Sequence, residues 1–133
     1  MRVYTVEEAR ALLPQVVPVL EELRSAFIEL RALQASIEAE SRGASGDGNL
    51  LADPWNTAKG ENRVETLNRT LRQAALRLGQ WDIQLKDAER GLIDFHHERN
   101  GRVVFLCYEL GEPDIRFWHP MEAGYAGRQP LDE

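Results

Sequence analysis

Residues 91–110 read Gly91-Leu-Ile-Asp-Phe-His-His-Glu-Arg-Asn-Gly-Arg-Val-Val-Phe-Leu-Cys-Tyr-Glu-Leu110, and this stretch decides the fold. Its central Asn-Gly pair is preferred in two-residue type I′ turns, because both positions need a positive φ. The flanking runs are rich in apolar and aromatic residues, so the stretch predicts a β-hairpin. The short turn also sets the register: Arg99 faces Arg102, and counting back places Asp94 opposite Cys107.

A second turn at Gly111-Glu-Pro-Asp114 leads into a closing strand, Ile115-Arg-Phe-Trp-His119. With two central residues in this turn, Cys107 pairs with Trp118, and Leu106 pairs with His119. That register gathers an apolar face suited to pack on helices: Ile93, Phe95, Val104, Leu106, Tyr108, Leu110, Ile115 and Phe117. The opposite face is mixed: Asp94, His96, Phe105, Cys107, Glu109, Arg116 and Trp118.

A three-residue turn would slip the closing strand by one position. His119 would then lie opposite Cys107, and an Asp94–Cys107–His119 cluster would form. The slip would also turn Arg116 towards the core, so the first register is favoured. Only the second register brings the residues with the most chemistry together.

The N-terminal part of the chain carries helical patterns. Thr5-Val-Glu-Glu8 is a capping box, which predicts a short helix to about Leu13. Pro14 predicts a break or sharp kink, because proline lacks the N–H that a helix interior requires. Apolar residues at three–four spacing then predict a long helix to about Ser41.

The stretch at residues 42–53 contains three glycines with Ser, Asp and Asn, and it predicts a flexible loop. A second helix follows, starting at Pro54 or only around Glu61, and Gly79 is placed to end it as a left-handed residue. Since both helices carry an apolar seam, we expect an antiparallel helical hairpin over about residues 5–79.

Asp82-Ile-Gln-Leu-Lys86 alternates polar and apolar residues and adds a first strand to the sheet. The prediction is an α+β fold: a long helical hairpin followed by an antiparallel β-meander of about four strands at 82–119. Residues 120–133 form a C-terminal tail. At 133 residues the chain has the length of a single domain, 1–133.

Composition excludes several classes of function. The 16 basic residues are scattered among 22 acidic ones and the net charge is −6, which argues against nucleic-acid binding. No apolar run approaches the ~20 residues of a membrane span. A single cysteine excludes an intramolecular disulfide. Glu7 and Glu8 interrupt any signal peptide, so we expect a cytoplasmic protein.

Several motifs resemble those of the bacterial family known as domain of unknown function 2203. They are Tyr4-Thr-Val-Glu-Glu-Ala9, Leu12-Leu-Pro14, Gly91-Leu-Ile-Asp-Phe95, residues 106–119, and Gly124-Tyr-Ala-Gly-Arg-Gln-Pro-Leu131. Tyr108 departs from the pattern, in which Trp is more usual after the Cys. The family has no assigned activity, so the resemblance implies no function.

Two chemistries are conceivable around Asp94, Cys107 and His119. Cys and His are zinc-like ligands, and Glu122 lies three residues after His119. Alternatively, Cys107 could act as a nucleophile activated by His119. Apart from His119-Pro-Met-Glu122 no pair has chelating spacing, and a single buried Cys more often packs as a small apolar residue. We therefore expect neither a metal nor a cofactor.

A binding pocket for a small molecule or peptide is a further hypothesis. Trp118 and Glu112 are candidate contacts, and Arg128 could clamp an anion if the tail folds over the mixed face. The favoured alternative is that Arg128 pairs with Asp94 or Glu112 and pins the tail.

The long helices extend beyond what one small sheet can cover, which favours a homodimer through a four-helix bundle. The favoured function is a non-enzymatic interaction or assembly protein. The alternative is a small metal-dependent or cysteine-based enzyme with its site around Asp94, Cys107 and His119.

Overall fold

The computed structural model describes residues 1–44 and 54–131. Most of the loop predicted at 42–53 therefore lies outside the described residues, while residues 42–44 continue the first helix. The elements in chain order are α1 (Val6–Ala44), α2 (Pro54–Gln80), β1 (Gln84–Asp87), β2 (Leu92–Arg99), β3 (Arg102–Glu109), β4 (Phe117–Pro120), a 3₁₀ turn (Tyr125–Gly127) and β5 (Gln129–Pro130).

The strands form one antiparallel sheet in the order β1-β2-β3-β4-β5. Two helices followed by an antiparallel sheet confirm the α+β class. There are five strands rather than about four, because residues 129–130 of the tail pair with β4. The first strand also begins two residues later than predicted, at Gln84.

The predicted capping box at the start of α1 is confirmed. The amide of Glu8 donates to Thr5 Oγ1 at 3.0 Å, and the amide of Thr5 donates to Glu8 Oε1 at 2.8 Å. The predicted helix break at Pro14 is wrong, because α1 continues through both Pro14 and Pro18. Both prolines are exposed, so they lie on the side of the helix where water can hydrogen-bond a carbonyl that has lost its partner.

The prediction that Gly79 ends α2 in a left-handed conformation is also wrong. Asp82 takes that conformation instead, with φ 57°. The amide of Ile83 donates to the Leu78 carbonyl, and the amide of Asp82 donates to the Gly79 carbonyl, each at 3.0 Å. This pair of bonds is the Schellman motif. Its left-handed position is usually glycine, but aspartate adopts the left-handed conformation more readily than most other residues.

The main hydrophobic core lies between the helices and one face of the sheet, which we call the inner face. Ile93, Phe95, Leu106, Tyr108 and Ile115 supply this face, and each is at most 3% exposed. They pack against buried residues of both helices: Leu13, Val16, Leu20, Leu23, Ala74 and Leu78. A smaller cluster of Ala26, Leu30 and Leu67 holds the helices together further along α1.

The β2–β3 hairpin agrees with the prediction. Asn100 and Gly101 have φ values of 53° and 77°, as a type I′ turn requires. Arg99 faces Arg102, and Asp94 faces Cys107. One face of this hairpin therefore packs on the helices, and Asp94 and Cys107 lie on the opposite face, which we call the outer face.

Both registers predicted for the closing strand are wrong. Phe117 pairs with Cys107, and His119 pairs with Phe105. The favoured register paired Cys107 with Trp118, and the alternative paired it with His119. The observed strand is therefore shifted by one residue from the favoured register, in the direction opposite to the alternative. The connection is longer than a tight turn, because residues 110–116 lie outside the strands. Ile115 in this connection is fully buried in the core. The connection must therefore run to the core and back, which uses more residues than a tight turn.

This register exchanges the predicted faces of the residues in β4. Trp118 lies opposite Leu106 and packs against the inner core, whereas Phe117 and His119 lie on the outer face. Along the described residues, no helix is long and apolar enough to cross a membrane.

Candidate functional site

Three adjacent strands bring three potential metal ligands together on the outer face. Asp94 on β2 lies opposite Cys107 on β3, and His119 on β4 lies opposite Phe105, two residues from Cys107 along the same face. One donor atom from each of the three lies within 4.8 Å of the others. The residues are only 1%, 1% and 3% exposed, so a polar cluster is buried. We call Asp94, Cys107 and His119 the outer-face triad.

The hydrogen bonds of His119 fix the position of its protons. Nδ1 lies 2.8 Å from the carbonyl oxygen of Pro120, which can only accept, so Nδ1 carries a hydrogen. Nε2 lies 3.0 Å from Asp94 Oδ2. A hydrogen bond between an imidazole nitrogen and a carboxyl oxygen needs one proton, which the two groups share, and the pair is then neutral as a whole.

Burial opposes the charged forms of the other two members of the triad. Burial raises the pKa of the Asp94 carboxyl, against the opposing effects of His119 and Cys107. Burial, followed by the negative charge of Asp94, raises the pKa of the Cys107 thiol to about 12. A free thiolate is therefore disfavoured at neutral pH. The cysteine-nucleophile hypothesis needs such a thiolate, and this environment opposes it.

One carboxylate oxygen of the triad has no partner within the described part of the chain. Asp94 Oδ1 is buried and makes no hydrogen bond there. Leaving a buried acceptor unpaired costs about 1–3 kcal/mol, so such an atom calls for an explanation.

A small cavity of about 120 Å³ lies beside the triad. Its other walls come from β1, β2, β3 and the tail: Lys86, Leu92, Phe105, Met121, Gly124 and Tyr125. The Lys86 ammonium lies 4.8 Å from the centre of the Phe105 ring. Lys86 is the extra residue of a β-bulge between Leu85 and Asp87, and bulges of this kind commonly re-aim a side chain.

The tail is fastened over the outer face by Arg128. Its NH2 group donates to Glu112 Oε1 at 2.6 Å, and the guanidinium lies over the rings of Phe117 and Tyr125 at 4.1 and 4.6 Å. The prediction that Arg128 pairs with Asp94 or Glu112 is thereby confirmed, and the partner is Glu112. Arg128 and Glu112 hold each other, so neither presents a free charge to a ligand.

The structure separates the remaining predicted site residues from the triad. Trp118 points into the inner core, because of the shifted register, and does not line the cavity. Glu122 is exposed and pairs with Arg102 at 3.1 Å, so it does not join the triad. His96 is on the outer face next to Phe105, and its ring centre lies 5.1 Å from that ring, but it is not among the clustered ligands.

Lys86, Met121 and Tyr125 were not anticipated as residues of the site. The sequence pattern placed Lys86 at the end of a strand, but a bulge breaks the alternation that would assign its face. Met121 and Tyr125 belong to the tail, which is held by the Arg128–Glu112 pair and by the pairing of β5 with β4.

A comparison with protein families matches residues 2–131 to the family described as "Uncharacterized conserved protein (DUF2203)". The chain belongs to this family. The match spans both helices, the whole sheet and the tail, so every residue of the triad and the cavity lies within the family region. No curated protein and no solved structure matches the chain.

Proposed function

We propose that the outer-face triad is the ligand set of a transition-metal centre, with zinc as the favoured ion. The observation that carries the proposal is the burial of three metal-ligand side chains of three types with their donor atoms within 4.8 Å. Thiolate, imidazole and carboxylate are each established ligands of Zn²⁺. Three protein ligands with one open position are typical of catalytic rather than structural zinc sites.

The orientation of His119 supports this proposal. A histidine that binds a metal usually donates its other ring N–H to a carboxylate or a backbone carbonyl, which fixes the ring. Nδ1 of His119 makes such a bond to Pro120, so Nε2 is the nitrogen that faces the triad. The carbonyl therefore pre-orients the nitrogen that would bind the ion.

A bound divalent cation would also offset the free-energy cost of burying these polar groups. It would give the Oδ1 atom of Asp94 a partner and would stabilise the thiolate of Cys107, since a coordinating thiol is deprotonated by its metal. Protons compete for the same atoms, so metal affinity should rise with pH. The ligand softness favours zinc or a similar ion over Mg²⁺ or Ca²⁺, which prefer oxygen ligands.

Titration of the protein with Co²⁺ tests this proposal, because cobalt bound to a thiolate gives a charge-transfer absorption band in the near ultraviolet. The chain contains a single cysteine, so any such band must arise from Cys107. We expect one equivalent of Co²⁺ to produce the band and Zn²⁺ to displace it. Cys107→Ser should abolish the band, and His119→Gln should weaken metal binding by about 10-fold or more.

Glu122→Gln is the control for Asp94→Asn, because Glu122 is a carboxylate three residues after His119 that pairs with Arg102 and lies outside the triad. We expect Glu122→Gln to bind cobalt like the unmodified protein and Asp94→Asn to bind it more weakly. A protein that gives no thiolate band at any pH between 6 and 9 would contradict the proposal.

We further propose that the helices form a homodimer, as the assembly hypothesis requires. Apolar side chains stand exposed on both helices: Leu76 on α2 is 66% exposed, and Ile28 and Ile37 on α1 are 45% and 40% exposed. The helices also carry complementary charge. α1 has seven acidic and four basic residues, and α2 has two acidic and five basic residues. A two-fold dimer that places α2 of one protomer against α1 of the other would match these charges.

Light scattering measures the mass in solution and tests the dimer. We expect twice the chain mass at micromolar concentration, and we expect Leu76→Glu to give the monomer mass. Leu85→Glu is the control, because Leu85 is an exposed apolar residue on β1 rather than on a helix. A monomer of the unmodified protein would remove this second proposal and leave the metal centre unaffected.

A further inference from the structure

We propose that the open position of the metal centre takes a small monocarboxylate, held between the metal and the ammonium group of Lys86. This inference rests on the metal centre proposed above, and it names the class of ligand that the centre would bind.

The ligand position follows from the arrangement of the cavity. The triad and Lys86 both line the cavity, and the Lys86 ammonium lies over the Phe105 ring. Among the described residues the ligand cluster contains three side chains and no fourth, so a tetrahedral ion would take its remaining ligand from the cavity. The volume of about 120 Å³ leaves room for several water-sized groups, which limits the ligand to a few heavy atoms.

The charge of the ligand follows from the donors. A divalent ion bound by the Asp94 carboxylate and the Cys107 thiolate is neutral as a unit, because the two anionic ligands balance it. The Lys86 ammonium then adds one positive charge at the rim, close enough to the triad to act on the Asp94 carboxyl. A ligand with a single negative charge completes this balance, whereas a dianion would exceed it.

The rest of the lining favours a carboxylate that carries a short apolar group. Leu92 and Phe105 are 6% and 3% exposed, and Met121 adds a flexible thioether. A carboxylate has two oxygens, so one can bind the ion while the other accepts from Lys86. The apolar walls then accommodate a methyl or ethyl group, as in acetate or propionate.

The cobalt-loaded protein provides the assay, because its visible absorption bands respond to a change in the ligands of the ion. Acetate and propionate should shift these bands in a saturable manner. Acetamide has the same shape without the charge and should cause no shift. Lys86→Met keeps the length of the side chain and removes its charge, and it should raise the half-saturating acetate concentration roughly fivefold.

Arg116→Gln is the matched control, because it also removes one positive charge, but from an exposed residue just before β4 that does not line the cavity. It should leave the acetate response unchanged. Lys86→Met should still produce the thiolate band, since Lys86 is not a metal ligand, and its acetate response is measured at saturating cobalt.

The outcomes separate this inference from the metal proposal. A thiolate band that acetate does not affect would overturn the carboxylate inference and leave the metal centre standing. An equal response to nitrate or chloride would overturn the preference for a carboxylate. The absence of any thiolate band would overturn both proposals.

Discussion

The two faces of the sheet are buried to a similar extent but by different means. On the inner face, Phe95 and Leu106 pack with apolar residues of two helices. On the outer face, Asp94 and His119 are as deeply buried, and the cavity beside them is lined by side chains of the neighbouring strands and by the short tail. Burial of apolar groups stabilises a fold, whereas burial of titratable groups costs free energy unless they are paired.

This difference indicates what each face is for. The inner face accounts for the stability of the fold, because it combines large apolar side chains with the helices. The outer face keeps a thiol, a carboxyl and an imidazole out of water, although a simpler apolar surface would cost less. Residues retained at such a cost are candidates for function rather than for stability.

The largest expected effect is a difference between the two faces in the free energy of unfolding that is lost on substitution. Phe95→Ala should lower the free energy of unfolding by about 3–5 kcal/mol, because Phe95 is fully buried and leaves a cavity against Tyr4 and the helices. Cys107→Ala on the outer face should cost roughly 1 kcal/mol at pH 7, since it deletes a single sulfur atom. Urea denaturation of both variants measures the difference, and equal losses would erase the distinction.

The next largest effect concerns the fastening of the tail. Arg128→Gln should lower the free energy of unfolding by about 1–3 kcal/mol, because it leaves the half-buried carboxylate of Glu112 without its cation. Denaturation in urea gives the value, with Arg116→Gln as an exposed control of the same chemical change. If the two variants lose equal stability, the Arg128–Glu112 pair does not hold the outer face closed.

A pH titration of stability probes the outer face alone. The folded protein raises the pKa of Cys107 from an ordinary 9.0 to about 12. Its contribution to stability is therefore complete below pH 9.0 and is lost as the pH rises towards about 12, because the unfolded thiol ionises first. Without added metal, the unmodified protein should lose about 1.4 kcal/mol per pH unit more than Cys107→Ala in this range. Parallel curves for the two proteins would show that Cys107 is not shielded.

The smallest effect sets the baseline for both faces. Arg102 and Glu122 form an ion pair at 3.1 Å with side chains that are 65% and 71% exposed. Exposed pairs are screened by water and salt, so Arg102→Gln should leave the midpoint of urea denaturation unchanged within error. A clear shift of the midpoint would mean that the Arg102–Glu122 pair contributes more to stability than its exposure suggests.

The sequence was sufficient to predict the strand register of the β2–β3 hairpin, because a two-residue turn sets that register. Asn100 and Gly101 permit one geometry, so the pairing of Asp94 with Cys107 could be derived by counting. For Arg128 the sequence predicted a pairing with either Asp94 or Glu112, and the structure shows the pairing with Glu112.

The position of His119 could not be derived in the same way. Seven residues connect β3 to β4, and the burial of Ile115 sets how much of that chain is used. Each one-residue change in the length of the connection exchanges the faces of Trp118 and His119. An error of one residue therefore places His119 on the wrong face of the sheet. The helix end at Asp82 and the bulge at Lys86 likewise depend on tertiary packing rather than on local propensity.

Two members of the outer-face triad, Asp94 and Cys107, lie between residues of the inner core in the sequence. Ile93 and Phe95 flank Asp94, and Leu106 and Tyr108 flank Cys107. The backbone at these positions is therefore anchored from behind, independently of the side chain that points outward. For protein engineering, the sheet is a fixed frame on which donor atoms can be exchanged one at a time. Cys107→His or Asp94→His would present a different set of ligands from the same backbone, so the frame offers a route to tune the choice of metal.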